Sequence, residues 1–250
     1  MDGPFDPPLA LASLSGDADA EWARAGAPYA GAAFLGGIAL DESSRAAARD
    51  LVARDRNEFL PDDPLAWIDD QLDALADVDL RPGVNVRATA PDPVREAAAV
   101  CARHDAIVEV NAHCRQAELC AVGCGETLLA DTARLREYVA AAAEAGATVS
   151  VKVRAGVDDV DLPVTARAVA DAGASILHVD AMDSEPAIAR VVDAAPSLFV
   201  VANNEVRDET TVREYLAYGA DAVSVGRPST DPVVLERVSD ALDAIRASTT

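Results

Sequence analysis

The chain has 250 residues, half of them apolar, and its 43 acidic residues against 21 basic ones give a formal net charge of −22. Such a length and apolar content suffice for a hydrophobic core without disulfides, and an acidic surface argues against a basic nucleic-acid patch. No run approaches the roughly 18 apolar residues of a membrane span and the N-terminus lacks signal-peptide features, so we expect a cytoplasmic protein.

The basic residues are 20 arginines and a single lysine, Lys152. The acidic residues are spread over the whole chain, whereas an interaction tail would concentrate them in one run. This pattern predicts a lysine-poor surface adapted to high salt, as in a halophile. A lone lysine on a strand is expected to serve where arginine cannot replace it.

Short apolar runs alternate with helical stretches along the whole chain. Continuous apolar runs are typical of parallel strands that are buried on both faces. The predicted strands are Leu9–Ser13, Gly31–Leu35, Gly83–Arg87, Ile107–Asn111, Thr148–Val153, Ile176–Asp180, Leu198–Ala202 and Ala222–Val225.

Alanine-rich amphipathic stretches lie between these runs. The predicted helices include Asp92–Arg103, Asp131–Ala145, Val164–Ala172 and Thr210–Tyr218, and the region 41–80 has room for two more. Eight strands that alternate with helices favour an α/β fold of the (β/α)8 TIM-barrel type over an open sheet. We expect one such domain over residues 1–250, with its chemistry at the carboxyl ends of the strands.

A polar motif follows the fourth predicted strand. The segment from Val108 to Cys114 reads V-E-V-N-A-H-C, and Gly123-Cys124-Gly125 and then Leu128-Leu129 follow. This segment resembles the pattern I-D-I-N-x-G-C-P, G-x-G, L-L of the tRNA-dihydrouridine synthase family. Both the spacing and the flanking residues agree.

Other strand ends resemble the same family. The segment 12–19 is similar to the family's opening A-P-M-A-G-V-T-D, 151–154 to V-K-I-R, 202–206 to A-N-G-D-I, and 225–227 to I-G-R. Asn85 stands where the family has a glutamine that contacts the flavin. The resemblance runs from about residue 9 to about residue 240, and it indicates a short, archaeal-type halophilic member.

The resemblance implies that flavin mononucleotide (FMN) binds at the strand ends. It assigns catalytic roles to Cys114, as the proton donor, and to Lys152, as a partner of the reduced flavin. The turns after strands seven and eight are the usual phosphate site of a barrel, and an arginine there can grip phosphate. The residues expected to bind FMN are Ser13, Asn85, Asn111, Lys152, His178, Asp180, Asn203, Asn204, Gly226 and Arg227.

The sequence departs from the family pattern at three places. Arg115 replaces the proline that follows the cysteine. Asp180 and Met182 stand where the family has a histidine and an arginine on strand six, and His178 lies on the same face two residues earlier. The family's C-terminal helical domain, which grips tRNA, is expected to be absent after the barrel.

Together these features predict an FMN-dependent oxidoreductase that acts on the C5–C6 bond of a pyrimidine, with reduced nicotinamide as electron donor. A tRNA substrate rests on the resemblance alone. Two alternatives stay open: a flavin-free lyase or isomerase of a phosphorylated metabolite that uses Lys152 as an imine former, and a non-catalytic ligand-binding barrel. The spacing of Cys114, Cys120 and Cys124 is not a usual zinc pattern, so no metal site is expected.

Overall fold

A computed structural model describes residues 3–249, and in it eight parallel strands close into a barrel in chain order. The predicted (β/α)8 architecture is therefore confirmed. The strands are β1 Leu9–Leu11, β2 Ala32–Ala39, β3 Arg81–Arg87, β4 Ile107–Asn111, β5 Thr148–Arg154, β6 Ile176–Asp180, β7 Phe199–Asn203 and β8 Ala222–Val225.

Helices surround this barrel and contribute to a continuous apolar core between helices and strands. They are α1 Ala20–Gly26, α2 Glu42–Val52, α3 Pro64–Asp73, α4 Pro91–Arg103, α5 Ala117–Ala121, α6 Glu126–Ala130, α7 Thr132–Glu144, α8 Leu162–Asp171, α9 Ala187–Ala194, α10 Glu209–Ala217 and α11 Pro232–Thr249. Each of these helices is too short or too polar to cross a bilayer.

The predicted elements agree with this structure except near glycine pairs and short turns. Two helices, α2 and α3, occupy the region 41–80 as expected. Strand β2 continues past its predicted end at Leu35, because an irregularity in its pairing between Gly36 and Ile38 lets the strand pass the glycine pair. Helices α5 and α6 have five residues each, too few to show a helical period in the sequence.

Seven helices begin directly after an aspartate whose carboxylate accepts a backbone N–H group of the first turn. Such caps satisfy donors that have no partner within the helix. Part of the large acidic content therefore has a structural role in starting helices. The capping residues are Asp19, Asp41, Asp63, Asp131, Asp161, Asp208 and Asp231.

Candidate active site

The interior of the barrel changes from apolar to polar towards the carboxyl ends of the strands. Inward-facing side chains of neighbouring strands form layers. The apolar cluster that fills the lower interior consists of Phe5, Ala10, Ala32, Phe34, Ile107, Ile176, Val201 and Ala222. The fully buried polar residues on the barrel strands are Asn85, Glu109, Ser150, His178 and Ser224.

Glu109 is the centre of this polar layer. Its Oε1 accepts a hydrogen bond from Asn85 Nδ2 at 2.8 Å, and its Oε2 accepts from Ser150 Oγ at 3.0 Å and from His178 Nδ1 at 2.8 Å. Burial opposes the charged form, but His178, Lys152 and Asn85 together lower the pKa of Glu109 to about 2. The barrel thus holds a fixed carboxylate in its interior, satisfied by donors.

His178 extends the network across the barrel. Its Nε2 accepts from Ser224 Oγ at 2.7 Å, and Ser224 Oγ in turn accepts from Asn203 Nδ2 at 2.8 Å. Burial lowers the pKa of His178, which favours the neutral ring, while the charge of Glu109 opposes this change. In the neutral ring a proton on Nδ1 suits both hydrogen bonds. The fully buried ring lies outside the walls of the two cavities described below, so its predicted contact with FMN stays a prediction.

Lys152 follows Ser150 by one inward position on β5. It is 5% exposed, and its Nζ has no hydrogen-bond partner among residues 3–249. Burial lowers the pKa of Lys152, while the charges of Glu109 and Asp180 oppose this change. Because a buried ammonium without an acceptor is costly, this position suits a group that meets solvent or a ligand in a cavity.

Two cavities open at the carboxyl ends of the strands. The larger has a volume of about 380 Å³ and the smaller about 180 Å³, and both are lined by Ser13, His113 and Lys152. Of the residues predicted from sequence, the larger cavity also contains Asp180, Asn203, Asn204, Gly226 and Arg227. The smaller cavity also contains Asn85, Asn111 and Cys114.

Asn111 shapes the loop that carries Cys114. Its Oδ1 accepts the backbone N–H groups of His113 at 3.2 Å and Cys114 at 3.0 Å, and its Nδ2 donates to Asn85 Oδ1 at 2.8 Å. Gly125 has a φ of +59°, and a Cβ there would overlap the carbonyl oxygen of Cys114. Asn111 and Gly125 therefore fix the loop. The side-chain amides of Asn85 and Asn111 each donate one hydrogen bond within the protein and keep their second N–H for a ligand.

Behind Cys114 lies a buried ion pair that the sequence reasoning missed. Arg87 at the end of β3 donates to Glu58 at 2.6 Å and to Ser15 Oγ at 2.9 Å. Burial opposes its charge, but Glu58 and Cys114 outweigh this effect and raise the pKa of Arg87. The sequence offered one sign of this ion pair, namely that Arg87 is a charged residue at the end of a buried strand.

His113 and Asp180 meet across the larger cavity. His113 Nε2 lies 2.6 Å from Asp180 Oδ2, and Asp180 Oδ1 accepts the backbone N–H of Met182 at 3.1 Å. Burial lowers the pKa of His113, although Asp180 opposes this change. Burial favours a higher pKa for Asp180, but the hydrogen bond and charge of His113 outweigh it, so the pKa of Asp180 is lowered. His113 occupies the glycine position of the motif on strand four, and Asp180 the histidine position on strand six, so the two departures from the pattern contact each other.

The turns after β7 and β8 form the other end of the larger cavity. Asn204 has a φ of +111° where the pattern has glycine, and its Nδ2 donates to the Met182 carbonyl at 2.7 Å. A Cβ at Gly226 would meet no atom within 4 Å, so the missing side chain leaves open space in the wall. Arg227 is exposed and forms no ion pair within residues 3–249, whereas Glu205 nearby pairs with Arg207 at 3.0 Å.

The four cysteines are free thiols. Cys120 Sγ contacts the Cys114 carbonyl at 3.4 Å, and Cys124 Sγ contacts the Ala88 carbonyl at 3.3 Å. Within the described part of the chain, no group of three or more His, Cys, Asp or Glu side chains is arranged to hold a metal ion.

The fold and site define an α/β-barrel protein with a polar ligand cavity at the carboxyl ends of its strands. The chain belongs to the dihydrouridine synthase family, since the family model described as Dihydrouridine synthase (Dus) matches residues 83–248. An uncharacterized protein of Methanocaldococcus jannaschii is 28% identical over 152 residues, which is 60% of this chain and 59% of that relative. The match thus spans less than two thirds of the relative's length.

Solved structures share the fold at low sequence identity. DHODH from Eimeria tenella in complex with ferulenol has a TM-score of 0.69 and 16% identity, with 97% of this chain and 82% of that chain covered. A tryptophan synthase complex from Pyrococcus furiosus has a TM-score of 0.58 and 14% identity, with 97% and 96% covered. At these identities the likeness extends to the barrel fold alone.

Proposed function

We propose that the chain is an FMN-dependent oxidoreductase that changes the oxidation level of the C5–C6 bond of a pyrimidine. Family membership supports this reading. The observation that carries it is Lys152, a buried ammonium at a cavity wall with no hydrogen-bond acceptor within residues 3–249. An anionic ring edge or phosphate would supply the missing acceptor.

The residues of the two cavities fit FMN. The larger cavity, at about 380 Å³, falls within the usual range of ligand pockets, roughly 300–1,000 Å³. Its walls carry three cationic side chains, Lys152, Arg207 and Arg227, against the two carboxylates Asp180 and Glu205. Both carboxylates already have partners in the protein, so the exposed Arg227 and the open wall at Gly226 would hold the phosphate.

FMN, when bound, supplies hydride chemistry, and reduced nicotinamide is the proposed electron donor. The chain's own residues provide the surroundings of that reaction. Lys152 holds its positive charge towards the cavity, and the buried carboxylate of Glu109 favours the charged form of Lys152. Asn85 and Asn111 each keep one N–H for the ligand, and Ser13 lies in the wall that both cavities share. This arrangement favours a negative charge on whatever occupies the shared region.

Two side chains at the smaller cavity or its border can carry the proton that the reaction requires. Cys114 is the residue that the family pattern assigns, and His113 is its neighbour in the chain. Two arginines at the mouth, Arg56 and Arg115, are exposed and form no ion pair within the described chain. They suit a substrate that bears phosphate, for which uridine in tRNA is the family precedent. We further propose that the barrel is a single domain over residues 1–250.

A spectrum of the purified protein tests this proposal directly. Protein prepared in high KCl should be yellow, or should become yellow with added FMN, and should bleach on reduction with dithionite. Replacing the lysine in Lys152→Met should weaken FMN binding at least about tenfold, since 1.4 kcal/mol of lost interaction gives that factor. The matched control Arg95→Met removes a positive charge from the exposed surface of α4 and should leave FMN binding unchanged. Colourless protein that takes up no FMN would contradict the proposal.

A second candidate uses Lys152 without a flavin. Burial lowers the pKa of this amine, and a neutral amine can attack a carbonyl carbon to form an imine. Borohydride with a panel of sugar phosphates would then add a stable mass to the peptide that contains Lys152. A protein that binds FMN and forms no such adduct excludes this candidate.

A further inference from the structure

The imidazole of His113 stands at the boundary of the two cavities. It lines both of them, whereas Cys114 lines only the smaller one. Its Nε2 is 2.6 Å from Asp180 Oδ2, and the second oxygen of Asp180 is held by the backbone N–H of Met182. The carboxylate is thus fixed in place, and it fixes the ring in turn.

This contact determines which ring nitrogen is available for chemistry. An ionised Asp180 accepts a hydrogen bond, so Nε2 of His113 carries a proton and Nδ1 has the free lone pair in the neutral ring. Nδ1 has no partner within residues 3–249, and the side chain is 28% exposed. A histidine oriented by a carboxylate, with its other nitrogen facing a cavity, is the usual arrangement of a general acid–base.

Cys114 lacks comparable support. Its sulfur makes no hydrogen bond within the described chain, and its side chain packs against an apolar cluster formed by Ala47, Leu51, Leu119 and Cys124. Among residues 3–249, no imidazole or carboxylate is hydrogen-bonded to the thiol to take or return its proton. Of the two neighbours, His113 alone has the second group that an acid–base pair needs.

We propose that His113, oriented by Asp180, is the acid–base residue of this site and exchanges its proton at Nδ1. The reaction it would serve rests on the proposed function. In the reducing direction the imidazolium gives the Nδ1 proton to the substrate carbon next to the one that receives hydride. The ring becomes neutral, keeps the Nε2 proton against Asp180, and regains a proton at Nδ1 from solvent at the cavity mouth.

The charges around the ring suit a group that changes its protonation. Burial and the charges of Lys152 and Arg154 on β5 oppose the imidazolium, while Asp180 on β6 favours it. Arg154 is itself paired with Glu126, and Lys152 faces Glu109 as well as Asp180. Asp180 is therefore the group whose removal changes the protonation of His113 most directly.

Nitrogen NMR of the histidine rings tests the pair without any turnover. The chain has only three histidines, and His104 with Asp69 forms a matched pair at 2.8 Å outside both cavities. In the neutral form of His113 we expect the proton on Nε2, against Asp180. Asp180→Asn should lower the pKa of His113, whereas the matched variant Asp69→Asn should leave the pKa of His113 unchanged.

A single-turnover experiment compares the two proton donors. Reduced, FMN-loaded protein is mixed without oxygen with an in vitro transcribed tRNA or with uridine 5′-monophosphate, and reoxidation of the flavin is followed. His113→Gln should slow this step by about 10²-fold or more, the usual loss for a general acid. Cys114→Ala should cost at least tenfold less, and Asp69→Asn should match the wild type.

The outcomes separate the inference from the function it rests on. A large loss in Cys114→Ala with His113→Gln near the wild-type rate overturns the role of His113 and leaves the flavin function standing. Protein that binds no FMN, or that reoxidises with neither probe, defeats the proposed function, and the NMR result then decides alone. Two results refute the His113–Asp180 pair in every case. One is a neutral His113 ring that carries its proton on Nδ1, and the other is a pKa of His113 that is the same in Asp180→Asn as in the wild type.

Discussion

The substitution Glu109→Gln tests whether the buried carboxylate stabilises the ammonium of Lys152. Gln has nearly the shape of Glu, so packing is preserved while the negative charge is removed. The variant would also place an amide N–H group against one of three donors, from Asn85, Ser150 and His178. Both effects destabilise the folded protein.

Removing one partner of a buried charge pair costs about 3–5 kcal/mol, and total stability is about 5–15 kcal/mol. Asp180 also compensates Lys152, so the lower end, about 3 kcal/mol, is the expected loss. In a Lys152→Met background no ammonium remains to be compensated. In that background Glu109→Gln should reduce the free energy of unfolding by less than it does in the wild type. The difference should exceed about 1 kcal/mol, as is found for coupled sites in double-mutant cycles.

Urea unfolding at constant high KCl measures these free energies, because urea leaves the salt concentration unchanged. Ser150→Ala is the matched control: it removes a neutral donor to Glu109, so its cost should be the same with and without Lys152. Additive effects of Glu109→Gln and Lys152→Met would refute the electrostatic account and leave only packing.

The same variant predicts a pH dependence. The pKa of Glu109 is lower in the folded state than its ordinary 4.5, so its ionisation stabilises the fold above pH 4.5 and this contribution is lost as pH falls towards about 2. The difference in free energy of unfolding between wild type and Glu109→Gln should therefore shrink below pH 4.5. A difference that grows on acidification would reverse the assigned sign.

Two further predictions concern the thiols and the loop that follows Cys114. Burial raises the pKa of Cys101 and Cys124 to about 12, so iodoacetamide should spare both in the native protein and modify them only after unfolding. The half-buried thiols expected to react are Cys114 and Cys120. Gly125→Ala should destabilise by more than about 1 kcal/mol in urea, since φ is positive and the new Cβ would overlap the carbonyl of Cys114. Labelling of Cys101 at the native rate of Cys114, or an unchanged Gly125→Ala midpoint, would contradict these expectations.

The fold and much of the cavity wall follow from local sequence patterns. Continuous apolar runs located the strands, and their alternation with helices predicted the barrel, because parallel strands need covered faces and crossover helices. The position of a residue at a strand end then places it near the cavity. For this reason Lys152, Asn203 and Gly226 all lie where the sequence predicted, although their roles stay predictions.

The contacts across the barrel could not be derived in this way. Glu109 and His178 are 69 residues apart in sequence, and His113 and Asp180 are 67 apart. Which inward side chains meet depends on strand tilt and loop course after closure. Polar residues in the middle of apolar strands, as at Glu109 and His178, are the local signs of the buried network in the sequence.

The buried and exposed charges of this chain must behave differently in salt. At about 1 M salt the Debye length is near 3 Å, so most of the −22 net charge is screened at the surface. Glu109, Lys152 and Asp180 are screened far less, because two of them are almost fully buried and the third is 13% exposed. The barrel interior and the cavity above it therefore keep their own charges, negative at Glu109, positive at Lys152 and negative at Asp180, whatever the salt around the protein. A strongly acidic surface and an interior with its own fixed charges can coexist in one barrel because the barrel wall separates them.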